Sequence, residues 1–252
     1  MLKEIVIAIQ SFSEVNHFIR QHKLWKWIII PGIVYALLFI VSMYFFGKSA
    51  THVIEYLTTT TGLGERLQKF QSSWAGFLFT FAGIILWLLL LQFYFSLFKY
   101  IILIIGSPLF AYLSEKTQVI LENKEKEINW NDLRKDIWRD IKLAGRNVLW
   151  QTFFFAILLL LTLVPIAGWI TPLIALFLEC YYYGFSMFDY SFARQNIPLR
   201  ESIDFAGKHN GLLIGNGLIF YLMHVVAGIG WVLAPAYAVI AANISLYKVK
   251  TN

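Results

Sequence analysis

Apolar residues recur at helical spacing from the first residues onward. Leu2, Ile5, Val6, Ile9, Phe12 and Ile19 share one side, and Lys3, Glu4, Gln10, Ser11 and Glu14 fill the remainder. The pattern predicts an amphipathic helix over 1–22, lying either in the membrane interface or on the protein's own surface. From Ile28 to Phe46 no charge interrupts the apolar run. At about 1.5 Å per residue it reaches roughly 28 Å, close to the hydrocarbon thickness of a bilayer. This predicts a transmembrane helix over 24–46, with Pro31 tolerated in its first turn and Trp25, Trp27 and Tyr44 near its two ends. A second transmembrane helix is predicted over 75–105. It tilts as far as Phe98, sends Lys99 to the headgroups, and ends at the breaker Gly106-Ser107-Pro108.

Polar and charged residues then dominate, and residues 111–147 read as a cytoplasmic helical segment. Asn129 or Asn131 caps a new helix, on which Leu133, Ile137, Ile141, Ala144 and Val148 form the apolar stripe. That helix continues unbroken into the next apolar run. Two hairpins follow, over 148–190 and 211–247. Their turns are alike, since Gly168-Trp169 precedes Pro172 and Gly230-Trp231 precedes Pro235. Several arms fall at or below the usual length of a span. Each pair therefore reads as a wedge penetrating the bilayer partway, or as two short spanning helices.

Composition sharpens this picture. Of 252 residues, 58% are hydrophobic and 14% charged, whereas a soluble domain carries about 25% charged residues. Disorder and a disulfide scaffold are both excluded, the latter because Cys180 is the only cysteine. The first apolar stretch is interrupted by Glu4, Gln10, Glu14 and Arg20, so it is not a secretory signal. The net charge of +6 reflects topology rather than a nucleic-acid partner. Of the 21 basic residues, only Lys48, Arg66 and Lys69 lie in the loop between the first two spans. The positive-inside rule then places the N-terminus in the cytoplasm.

No His-Glu-x-x-His, Gly-x-Ser-x-Gly or phosphate-cradling Gly-Lys-Ser/Thr pattern is present, and the five histidines lack ligand spacing. Neither a catalytic centre nor a metal or other cofactor is expected. Ionisable groups at membrane depth are more informative, because such residues face an aqueous path or a partner. Glu179 lies inside an apolar arm and His224 near the tip of the last hairpin; they pair only if the hairpins pack together. Gly211-x-x-x-Gly215, followed by Gly217, suits close helix packing within the protomer. Before the first span, His22-Lys23-Leu24-Trp25-Lys26-Trp27 sets cations and indole rings where a helix begins and backbone N–H groups favour an anion. The same pattern also serves as a basic-aromatic membrane anchor.

Several segments together resemble the family of CysZ-type sulfate permeases and the related etoposide-induced membrane proteins. They are Leu24-Trp25-Lys26-Trp27-x3-Pro31, Gly106-Ser107-Pro108-Leu109 followed by Glu115-Lys116, Val164-Pro165-x-x-Gly168-x3-Pro172, Asp189-Tyr190-x-Phe192 and Pro235. The resemblance implies an all-α polytopic membrane protein with two long spanning helices and two hairpins. It implies a homo-oligomer in the inner membrane that passes a small inorganic anion, sulfate, through a channel or permease for cysteine synthesis. It ties the segment before the first span to the anion, which makes Lys23, Trp25 and Lys26 the substrate-binding candidates. Where the family carries adjacent arginines, Lys26 offers a point charge rather than a planar fork. Glu179, Asp189 and His224 are the candidates for lining the pathway. The competing reading is a non-transporting scaffold or envelope protein that binds a cytoplasmic partner through 111–147.

Overall fold

The computed structural model describes residues 1–61, 74–123, 130–162, 164, 167–226 and 228–251. Among these the secondary structure is helical. The helices are α1 (Leu2–Gln21), α2 (Trp25–Thr61), α3 (Trp74–Glu122), α4 (Trp130–Thr162), α5 (Thr171–Arg194), α6 (Leu199–Lys208), α7 (Asn210–His224) and α8 (Ile229–Thr251), with a 3₁₀ turn at Ala167–Ile170 before α5. Among the described residues four stretches are long and apolar enough to cross a membrane: Trp25–Ser49, Leu91–Glu122, Ile137–Thr162 and Ile229–Lys250. The protein is an all-α polytopic membrane protein.

Two predicted boundaries move. The helix expected to end at the Gly106-Ser107-Pro108 breaker runs through it, and Pro108 lies inside α3. Proline removes one N–H and bends a helix. In lipid, unwinding the neighbouring turns exposes several more unpaired backbone groups, so the helix is the lesser loss. The first span likewise continues past Phe46 to Thr61. Lys99, expected at the headgroups, is instead buried, its ammonium 4.7 Å from the centroid of the Tyr100 ring.

The chain divides into two compact units. The first comprises Met1–Phe39, Ile101–Asn147 and Phe177–Asn252, and the second Ile40–Tyr100 and Val148–Leu176. In the second unit, aromatic rings bridge the helices, with Phe46 on Tyr94 at 5.2 Å and Phe93 on Phe155 at 5.3 Å. Tyr100 Oη donates to Gln151 Oε1 at 2.6 Å. The hairpin turn is closed by Thr162 and Thr171, whose hydroxyls lie 3.2 Å apart.

In the first unit α1 packs on the α7–α8 pair. Its buried face is Ala8, Ser11, Phe12, Val15 and Ile19, while Leu2, Val6 and Ile9 remain exposed. The predicted apolar side is thus split between the protein and its surroundings. Gly211 and Gly215 form the seat: a methyl group on the first would strike Met1 and Glu4, and on the second Ala8 and Ile5. Glu4 then caps α7, accepting the Gly211 N–H at 3.1 Å while its other oxygen lies 2.8 Å from His209 Nδ1. At 15 residues, α7 is about 22 Å long, shorter than a bilayer core of roughly 30 Å.

Helix α4 runs unbroken from Trp130 to Thr162 as predicted, but among its described side chains the buried face meets the apolar stripe only at Ala144. Within the first unit Asp140, Leu143, Ala144 and Asn147 point inward, while Trp138 and Ile141 are exposed. Within the second, Gln151, Phe155, Leu158 and Thr162 point inward, and Leu149, Phe153, Ile157 and Leu160 are exposed. Four polar side chains face the protein and large apolar ones face outward. Water would enforce the reverse arrangement; lipid permits this one, because outward apolar groups lose nothing there and inward polar groups find partners.

Candidate functional site

The turn joining α1 to α2 is built on Lys23, whose φ of 53° is left-handed. Leu24, 2% exposed, is the side chain that ties this turn to the core, and its N–H donates to the Ile19 carbonyl at 3.1 Å. Lys23, Trp25 and Lys26 therefore stay on the surface. The first N–H groups of a helix have no acceptor within it; here they belong to Trp25 and Lys26, at the positive end of α2. Trp27 turns to α3, its ring 4.6 Å from that of Tyr112. The Lys116 ammonium sits 5.4 Å from the Trp27 ring. The structure thus adds Lys116, one turn after Tyr112, to the cations of this turn. Sequence reasoning noted Lys116 only as part of a motif. Its proximity to a residue 89 positions earlier leaves no local signal.

Glu179 is 3% exposed and accepts a hydrogen bond from Tyr221 Oη at 3.1 Å. His224, one turn after Tyr221, lies among aromatic rings. Its ring centroid is 4.6 Å from Phe39, 5.1 Å from Phe220, 5.9 Å from Tyr35 and 6.4 Å from Trp231. Its backbone carbonyl accepts the Trp231 indole N–H at 3.1 Å. Helices α5 and α7 do pack together, as a Glu179–His224 encounter would require, but the hydroxyl brought to Glu179 is that of Tyr221. The contact between α5 and α7 is made through glycines. A Cβ on Gly184 would strike the Leu213 carbonyl, and one on Gly217 would strike the Cys180 carbonyl.

Asp189, fully buried, has its carboxylate gripped by Arg139. Nε reaches Oδ2 at 2.9 Å and Nη2 reaches Oδ1 at 2.7 Å. The same guanidinium donates to Ser202 Oγ at 2.6 Å and to the Ile197 carbonyl. This clasp joins α4, α5 and α6.

A further polar group was not among the sequence candidates, although Glu115 was noted as part of a motif. Glu115 and Arg194 form an ion pair at 3.1 Å, with side chains 4% and 3% exposed. Beside them in the chain, Ser114 Oγ donates to Ser191 Oγ at 3.3 Å, and Asn243 Nδ2 donates to Ser114 Oγ at 3.1 Å. The signal was available: Ser114, Glu115 and Asn243 fall within stretches apolar enough to span a membrane. Among the described residues no cluster of three His, Cys, Asp or Glu side chains could hold a metal ion.

A family model described as sulfate transporter CysZ/etoposide-induced protein 2.4 matches residues 11–235. No curated protein matches the chain. The match covers the turn before α2, both ion pairs and the first part of α8, as far as Pro235. The chain belongs to the sulfate transporter CysZ/etoposide-induced protein 2.4 family.

Proposed function

We propose that this chain carries a small inorganic anion, sulfate, across the inner membrane to supply cysteine synthesis. The observation that carries the proposal is the polar interior of the first unit. Glu115, Glu179, Asp189, Arg194 and Asn243 are all buried, while Ile29, Ile30, Ile33 and Leu37 of α2 are exposed. Ionisable residues at this depth are expensive, and function is the usual reason that they persist. Lys23, Trp25 and Lys26, with Lys116 nearby, form the cytoplasm-facing mouth, where two lysines and the start of α2 attract an oxyanion. Glu179 and His224 border the path, and the clasp at Asp189 holds its walls. The second hairpin is a wedge, α7 being too short to span, and a homo-oligomer covers its tip. The N-terminus is cytoplasmic.

The scaffold reading needs 111–147 presented to a partner. Much of that stretch is instead occupied within the chain, since Leu113, Ser114, Glu115, Thr117, Asp140, Leu143 and Ala144 are buried. This favours transport.

Uptake of radiolabelled sulfate into vesicles reconstituted with the full chain tests the proposal. The wild type takes up sulfate above protein-free vesicles. Replacing Lys23→Ala and Lys26→Ala together lowers uptake at subsaturating sulfate by about 10-fold, since one charge-assisted hydrogen bond contributes about 1.5–3 kcal/mol. Unchanged uptake removes the mouth from the proposal; an inert wild type removes transport itself.

A further inference from the structure

The arginines of the first unit do not all meet carboxylates. Arg139 holds Asp189, and Arg194 holds Glu115. Arg146 lies two turns beyond Arg139 on α4, inside a stretch apolar enough to span a membrane. It is part-buried, and among the described residues it has no acidic partner. Its guanidinium donates from Nη1 to Asn147 Oδ1 at 3.1 Å. A guanidinium carries several N–H donors and no acceptor, so most of its donors remain for another group. Asn147, 0% exposed, adds to them, because its Nδ2 is buried and unpartnered. Orphaned buried donors are costly, and lipid tails supply no acceptor.

The neighbouring side chains are of the same character. Lys142 stands one turn earlier on the same face of α4, exposed and likewise without an acidic partner among the described residues. Its ammonium sits 5.4 Å from the ring of Trp138, a further turn back and 60% exposed. On α5, Tyr181 and Tyr182 lie near enough for the Arg146 charge to act on both phenols, and Tyr181 is part-exposed. The group thus combines two uncompensated cations with an amide and a phenol that can donate.

Placement in the span selects the ligand. A cation inside an apolar span is expensive unless it reaches an aqueous path or a partner. Long basic side chains reach the headgroups while their stems stay in lipid, and tryptophan settles at that same level. The acceptor met there is a lipid phosphate, and two unpaired cations favour a lipid of net negative charge. A guanidinium grips phosphate oxygens two at a time, whereas an ammonium adds a point charge.

We propose that Trp138, Lys142, Arg146 and Tyr181 form a binding site for the headgroup of an anionic phospholipid. Arg146 takes the phosphate, steered by Asn147 Oδ1, and the Tyr181 hydroxyl donates beside it. Lys142 adds charge, and Trp138 covers the upper part of the acyl chains. The site uses none of the residues of the turn before α2 and does not depend on the transport reading.

Trp138 supplies a local readout. The full chain is placed in phosphatidylcholine vesicles containing either brominated phosphatidylglycerol or brominated phosphatidylcholine. The Trp138 signal is the fluorescence of the wild type less that of Trp138→Phe. Brominated phosphatidylglycerol half-quenches this signal at about a 5-fold lower mole fraction than brominated phosphatidylcholine, as expected for basic residues near an anionic headgroup. Arg146→Gln combined with Lys142→Gln, each compared with the same variant carrying Trp138→Phe, abolishes that preference. Arg200→Gln, which removes an exposed cation from α6, leaves it intact. Should the double variant not fold, Lys142→Gln alone, a surface change, reduces the preference to about 2-fold and decides the matter. Equal quenching by the two lipids in the wild type, or an undiminished preference in the folded variants, overturns the site. Loss of the wild-type preference on adding sulfate, but not chloride at equal ionic strength, assigns the residues to a free oxyanion and overturns the lipid.

Discussion

Replacing Arg139 with methionine destabilises the protein by about 3–5 kcal/mol, the range expected when one member of a buried ion pair is removed. The cost arises at Asp189. Its side chain is 0% exposed while that of Arg139 is 15% exposed, so truncation strands a carboxylate with no route to solvent. Ser202 Oγ and the Ile197 carbonyl lose the same donor, which loosens α6 from α4. The pair itself need not stabilise the protein against an apolar equivalent, because desolvating both charges offsets much of their attraction. Arg139→Met combined with Asp189→Leu therefore recovers most of the loss. Unfolding in mixed micelles, followed by circular dichroism, measures all three variants. A single variant within about 1 kcal/mol of wild type, with no recovery in the double variant, would show that the clasp does not hold these helices.

Gly184→Ala and Gly217→Ala each cost about 1–3 kcal/mol, as overpacking does where a methyl group has no space. Each glycine lies against backbone of the opposing helix, which cannot swing aside as a flexible side chain can. Gly184 faces Leu213, and Gly217 faces Cys180. The spacing is four residues on both helices, so one turn of α5 and one of α7 interlock reciprocally, α5 running antiparallel to α7. The two substitutions share one interface and are not additive. Once the first alanine has pushed the helices apart, the second meets less resistance, and the double variant costs less than the sum. Separation also breaks the Tyr221–Glu179 bond, which spans the same interface. Gly145→Ala is the control: nothing lies within 4 Å of its added methyl, and relief of glycine's helix penalty stabilises α4 by up to about 1 kcal/mol. Equal effects at positions 145, 184 and 217, read by the same unfolding measurement, would exclude the interlocked geometry.

Particular residues show how far the sequence carried the structure. The uncharged run from Ile28 marked α2 unaided, since each apolar residue adds to insertion independently of its neighbours. The Gly211-x-x-x-Gly215 motif correctly announced close packing, although its partner, α1, was not specified. Pro108 misled because its local cost is real in water, while in lipid the alternative to a bent helix is worse. The stripe on α4 misled for a related reason. Of the stripe Leu133, Ile137, Ile141, Ala144 and Val148, Ala144 is buried and Ile141 exposed. The buried face also holds Asp140 and Asn147. Glu179 and His224 drew attention through their apolar surroundings, whereas Glu115 entered only as part of a motif beside Lys116, and Arg194 was masked by the polar Gln195-Asn196 that follows it.

The amino-acid sequence alone determined that this protein is helical, that it resides in a membrane, and roughly where its helices run. Those properties follow from local hydrophobicity and helical period, which need no knowledge of distant residues. Tertiary structure alone decided which face of each helix is interior and which polar side chains meet. Arg139 finds Asp189 50 positions away, and Glu115 finds Arg194 79 positions away. Lipid does not enforce the inward turning of apolar faces that water imposes. The pairing of buried charges is therefore settled by which backbones can approach closely, as those of α5 and α7 do at Gly184 and Gly217.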